Sequence, residues 1–137
     1  MILYQMKNLV QFIRRIRRCI FMASYSVIRM SGEAEPWWFF SDWEKDITEK
    51  MEFTNEKEAF EQFLALVREL SGEYKNRKQK KNTVAFWDEG EKVFCESCDD
   101  DLQIYHGLIL MDGKDLKVFT NEEKQELQTV MENVVPR

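Results

Sequence analysis

The stretch Asn55–Gly72 places the tightest constraint on what this chain can fold into. Asn55 can cap a helix with Glu58 three residues on, and Gly72 stands where a left-handed C-terminal cap belongs. Between them Ala59, Phe60, Phe63, Leu64, Val67 and Leu70 recur at helical spacing and share one face. A helix with so apolar a stripe is not stable alone in water and has to lie against another layer. The rest of the chain must supply that layer, and its patterns are those of strands. Tyr25, Val27, Ile28 and Met30 form an apolar, partly β-branched run closed by Ser31-Gly32. Ile47, Met51 and Phe53 alternate with Thr48, Lys50 and Glu52, the period of a half-buried strand. Thr83–Trp87 and Lys92–Cys95, joined through Asp88-Glu89-Gly90, predict a hairpin, and Leu108–Met111 predicts a further strand before Asp112-Gly113. Asp99–Tyr105 reads as a short helical turn stopped by Gly107. Thr120 and Glu123 repeat the capping signature ahead of Leu127, Val130, Met131 and Val134, which predicts a terminal helix. The expected class is α+β: a mainly antiparallel sheet with a long central helix and a C-terminal helix packed on one face.

With 137 residues there is room for one core, so residues 22–137 are expected to form a single domain. Residues 1–21 differ in character. They carry Lys7, Arg14, Arg15, Arg17 and Arg18 without an acid, while Ile2, Met6, Leu9, Ile13, Ile16 and Ile20 repeat at spacings of three and four. That is a basic amphipathic or disordered extension, and Met22 is a candidate natural start. Since the whole chain has a formal charge of −5, residues 22–137 carry about −10 once those five cations are set aside, and such a body repels phosphates except at a local basic patch. Three cysteines, an odd and sparse set, favour a reducing, cytoplasmic setting. No run reaches the ~20 apolar residues of a transmembrane helix.

Several side-chain groups have the right types for chemistry. Cys95 and Cys98 with His106 supply three ligands suited to zinc, with Asp99 or Asp101 available as a fourth, but a second paired half-site is missing. The same cysteines as a redox pair would sit among Glu96, Asp99, Asp100 and Asp101, which disfavour a thiolate. Those carboxylates miss the spacing of a calcium loop and lack its turn glycine. Two reduced cysteines in a tight turn are the simplest expectation. A single histidine, with no nucleophile elbow and no phosphate-binding glycine loop, argues against the common enzyme classes and leaves no cofactor expected apart from zinc.

Two surfaces suit binding instead. Lys75, Arg77, Lys78, Lys80 and Lys81, read as an exposed loop beside Tyr74, Phe86 and Trp87, pair phosphate-contacting charge with stacking platforms and make nucleic acid a candidate partner. Trp37, Trp38 and Trp43 lie in the densest aromatic segment of the chain and are candidate anchors for a protein partner. The leading expectation is a non-enzymatic binding or regulatory module contacting a protein through these tryptophans. Nucleic acid binding through residues 75–81 and a zinc-stabilised domain are the alternatives.

One family shares these motifs. Glu35-Pro36-Trp37-Trp38-Phe39-Phe40 with Asp42-Trp43, then Phe86-Trp87, then Cys95-x-x-Cys98-Asp99-x-Asp101-Leu102-Gln103-x-Tyr105-His106, resembles the short bacterial proteins catalogued as domain of unknown function 1033. The likeness covers roughly residues 24–118 and leaves residues 1–21 outside it. Members are often labelled DNA-binding, but the family carries no established activity, cofactor or catalytic residue, so the resemblance implies a family rather than a chemistry.

Overall fold

The computed structural model describes residues 24–134; the basic stripe of residues 1–21 lies outside the described residues. The strands are β1 (Tyr25–Gly32), β2 (Ile47–Phe53), β3 (Asn76–Lys80), β4 (Thr83–Trp87), β5 (Lys92–Cys95), β6 (Asp100–Gln103), β7 (Tyr105–Asp112) and β8 (Asp115–Leu116). The helices are α1 (Glu56–Glu73) and α2 (Asn121–Asn133), with a 3₁₀ turn at Trp43–Asp46. Five strands run antiparallel in the order β2-β1-β7-β4-β3, β8 adds to β7, and β5 and β6 form a separate two-stranded ribbon. Both helices lie on one face of the large sheet, as α+β patterning predicts.

Alternation along the strands divides the sheet into two unlike faces. Tyr25, Val27, Val84, Phe86, Leu108 and Leu110 point to the helices and join Phe60, Phe63, Val67 and Leu70 of α1, with Phe119 and Leu127, in the main core. Ile28, Met30, Ile109 and Met111 point the other way and form a second, smaller cluster with Trp43, Ile47 and Leu116 packed against it. What covers this second face decides where the protein can make contacts.

Both helix starts behave as their sequences predict. The Asn55 side chain accepts the Glu58 N–H at 3.1 Å, and Thr120 and Glu123 form a reciprocal capping box. Beside these starts Lys117, only 5% exposed, reaches Glu56 at 2.7 Å and Glu123 at 3.1 Å, and Tyr25 donates its hydroxyl to Glu56 at 3.1 Å. Burial pulls the Lys117 pKa down, but the hydrogen bonds to the two carboxylates outweigh it and leave the ammonium above the usual lysine range. The Lys117 hydrogen bond in turn holds the Glu56 carboxyl below its ordinary value, against the opposing effect of burial.

Four local expectations are corrected. Gly72 is not a left-handed cap: the helix continues to Glu73 and ends on an extended Tyr74, whose N–H returns to the Leu70 carbonyl at 2.9 Å. Residues 75–81 are not a loop, because Asn76–Lys80 pairs with β4 as an edge strand. Lys81 and Asn82 both have positive φ, 53° and 59°, the two-residue hairpin geometry in which asparagine is favoured. The β4–β5 hairpin is absent. Thr83–Phe86 is fully buried, as suits a central strand paired on both edges, whereas Lys92–Phe94 is exposed and pairs with β6 alone. The helical turn predicted within Asp99–Tyr105 is replaced by that partner strand, after a turn that places Asp99 at φ 53°.

Candidate functional site

The second sheet face is covered by the loop between β1 and β2, and a glycine sets where the loop lands. Gly107, in the middle of β7, lies beneath Pro36 so closely that a Cβ there would stand 2.9 Å from the proline Cγ and nearer still to its Cβ. Pro36 therefore rests on bare backbone and carries Trp37 down with it. Trp37 is 3% exposed, and its indole N–H has no acceptor among the described residues. Its neighbours stay outside: Trp38 is 48% exposed and Phe40 57%, while Phe39 meets the half-buried Trp43 edge-on at a centroid distance of 5.2 Å. Of the three candidate anchor tryptophans, Trp38 has the area to meet a partner, Trp43 supports the loop, and Trp37 belongs to the fold.

The basic segment reaches the same place. Strand alternation turns Lys78 and Lys80 toward this face and Arg77 toward the helices. The ammonium groups of Lys78 and Lys80 each stand 5.7 Å from the Trp37 ring centroid, and those of Lys80 and Lys81 stand 5.7 and 5.0 Å from that of Trp38. Two groups separated by forty residues of sequence thus form one surface, with cations against the negative faces of the rings. Arg77 serves the fold instead. Its guanidinium donates to the Ser71 carbonyl at 3.2 Å, the Val134 carbonyl at 2.7 Å and the Met131 carbonyl, which satisfies carbonyls near the C-terminal ends of both helices. Lys75 precedes the strand and donates its backbone N–H to Asp88 Oδ1 at 2.8 Å.

On the far side of Trp38 the loop faces the β5–β6 ribbon across an open cleft of about 640 Å³. Trp38, Phe40 and Trp43 line one wall, and Val93, Leu102 and Ile104 the other. Glu33, Glu35, Asp42 and Asp46 also border it, and its one cation among the described residues, Lys45, is paired with Asp42 at 2.9 Å. Among the described residues, every exposed large hydrophobic side chain except Val118 lies in residues 38–40 or 93–94.

The candidate zinc ligands are arranged differently. The expected pair of reduced cysteines is corrected: the tight turn of the ribbon brings the Cα atoms of Cys95 and Cys98 within 5.3 Å, and the two are joined as a disulfide, where the Cys98 N–H also points at the Cys95 sulfur at 3.2 Å. His106 lies on the large sheet, stacked on Tyr74 at 4.5 Å and joined to Glu91 at 2.6 Å through Nε2. Cys95 pairs with Asp100 and Lys92 with Gln103, so the sulfurs sit three register steps up the ribbon, about 10 Å of strand from the end nearer His106. Among the described residues no group of three or more His, Cys, Asp or Glu side chains is arranged to hold a metal ion. No described helix is long and apolar enough to cross a membrane.

The cleft, the seat on Gly107 and the role of Arg77 were not read from the sequence. One signal was present: a lone arginine at the helix-facing parity of an otherwise lysine-rich strand, which becomes visible once residues 76–80 are recognised as a strand. A family model described as a protein of unknown function, DUF1033, matches residues 24–136. No curated protein and no solved structure matches the chain.

Proposed function

The chain belongs to the DUF1033 family, and we propose that it is a non-enzymatic binding module that contacts a protein partner through the surface formed by residues 38–40 and the β5–β6 ribbon. The observation that carries this reading is that Trp38, Phe40 and Val93, all exposed, line one cleft from two segments distant in sequence. Exposed aromatics beside a concave surface are the composition of interface centres, since they bury large areas at little cost in side-chain entropy. Residues 22–137 act in this proposal as one cytoplasmic domain. A photo-crosslinking residue placed at Phe40 or Val93 in the producing cell should trap the same partner from both positions. The same residue at Val118, exposed but remote in sequence from both segments, should not trap it. Identical trapping from all three positions counts against the proposal.

A second reading is favoured by a separate observation, the placement of Lys78, Lys80 and Lys81 against Trp37 and Trp38. Single-stranded nucleic acid suits such an array, with a base stacked on Trp38 in place of the lysines and phosphates taken by the ammonium groups. Three phosphate contacts give a slope of log affinity against log salt of about −2 for a single strand. Oligonucleotide titration followed by indole quenching tests it. Charge reversal at all three lysines should abolish binding, and an unchanged slope in that variant rejects the reading.

A further inference from the structure

The chemistry of the cleft between the β1–β2 loop and the ribbon restricts what can enter it. We infer that the cleft receives a peptide segment of the partner bearing a lysine or arginine flanked by apolar residues, a specification that rests on the protein-contact reading above. Charge complementarity carries the inference. Four carboxylates, Glu33, Glu35, Asp42 and Asp46, surround a cleft whose only cation among the described residues, Lys45, is already held by Asp42. The exposed ring of Phe40 adds to the same preference, because an aromatic quadrupole attracts an ammonium or guanidinium group.

The opposite wall explains why the occupant is a peptide rather than a small free amine. Val93, Leu102 and Ile104 offer an amine nothing to bind, whereas apolar residues flanking the cation cover them and gain hydrophobic burial. The cleft, about 640 Å³, lies within the ~300–1,000 Å³ range of sites that enclose several side chains' worth of ligand. Direction is set as well. Lys80 and Lys81 stand against Trp38 without lining the cleft, so a second cation extending past that ring is repelled, and the peptide's basic residue lies away from these lysines.

The test is selection of a phage-displayed library of random 12-residue peptides on the full chain, followed by binding of the selected peptides measured through indole fluorescence. Selected sequences are expected to place lysine or arginine beside aliphatic or aromatic residues. Replacing that cation by glutamate should weaken binding at least tenfold. The variant Glu33→Gln with Glu35→Gln, which leaves the Asp42–Lys45 pair intact, should weaken binding roughly tenfold without changing the unfolding midpoint. Selected peptides that are acidic or uncharged overturn the inference, and so does spermidine that competes at the peptide's own concentration. Crosslinking from Phe40 and Val93 to a common partner, together with peptides indifferent to charge, retains the protein contact and rejects the basic anchor alone.

Discussion

Gly107→Ala is expected to lift the aromatic loop from the sheet, and its size follows from the seat of Pro36. The new methyl would lie 2.9 Å from Pro36 Cγ, closer to Pro36 Cβ, and 3.6 Å from Met30 Cβ, where carbon atoms rest at roughly 3.5–4.0 Å. β7 is hydrogen-bonded to β1 on one edge and β4 on the other, so the loop gives way rather than the strand. A loop that shifts slightly implies an overpacking cost of about 1–3 kcal/mol. A loop that leaves entirely exposes Trp37, whose ~150–250 Å² corresponds to about 4–6 kcal/mol. The expected loss lies between these, at about 2–4 kcal/mol, read as a lower urea midpoint. The helix-facing core should survive, because Leu108 and Leu110 point away from the loop. Far-UV circular dichroism should therefore hold while indole emission shifts to the red. Gly90→Ala is the control, since a Cβ there meets nothing within 4 Å. A Gly107→Ala protein matching that control in midpoint and emission refutes the seating of the loop on bare backbone.

Four other outcomes follow from the same contacts. Trp37→Phe removes an indole N–H that is buried without an acceptor among the described residues, so its cost should stay within about 1 kcal/mol, against about 3–5 kcal/mol for Trp37→Ala; equal costs in urea unfolding would contradict this. Arg77→Ala should cost about 2–4 kcal/mol by loosening the ends of both helices, yet leave any oligonucleotide affinity unchanged, and a loss of affinity without a loss of stability would reverse its assignment. The lowered pKa of Glu56 means a contribution to stability that is present above the ordinary glutamate value and lost as pH falls through the folded-state value; unfolding midpoints across the acid limb should show it, and Glu56→Gln should flatten it. Elemental analysis of reduced protein should find no stoichiometric zinc, because Glu91 and Tyr74 engage His106 away from the ribbon turn, and near-stoichiometric zinc lost in Cys95→Ser would restore the three-ligand site.

Local signals were sufficient for several elements. The long helix, the terminal helix with its capping box, the first two strands and the α+β class all follow from spacing and end residues, since a cap or an apolar stripe is complete within a few turns of chain. The same holds for the family, carried by the Pro-Trp-Trp and Cys-to-His strings. Residues 76–80 were missed because an edge strand needs no apolar alternation on its open side, and five polar residues in a row give no period to read. The β4–β5 pairing failed for a different reason. A turn of suitable composition joins the two runs, but strand partners are chosen by burial, and Val84–Phe86 is buried only between β3 and β7.

The candidate site divides along the same line. Residue types were legible in order along the chain: tryptophans, then lysines, then cysteines and a histidine. Their grouping was not. Lys78 and Lys80 meet Trp37, Arg77 turns to the helix ends, and His106 pairs with Glu91, all through the parity of strands adjacent in space and distant in sequence. Helices and their N-terminal caps are set between residues three or four apart, which the sequence alone can settle; a surface assembled across a sheet depends on register and on which face a loop covers, and those exist only after the strands have paired.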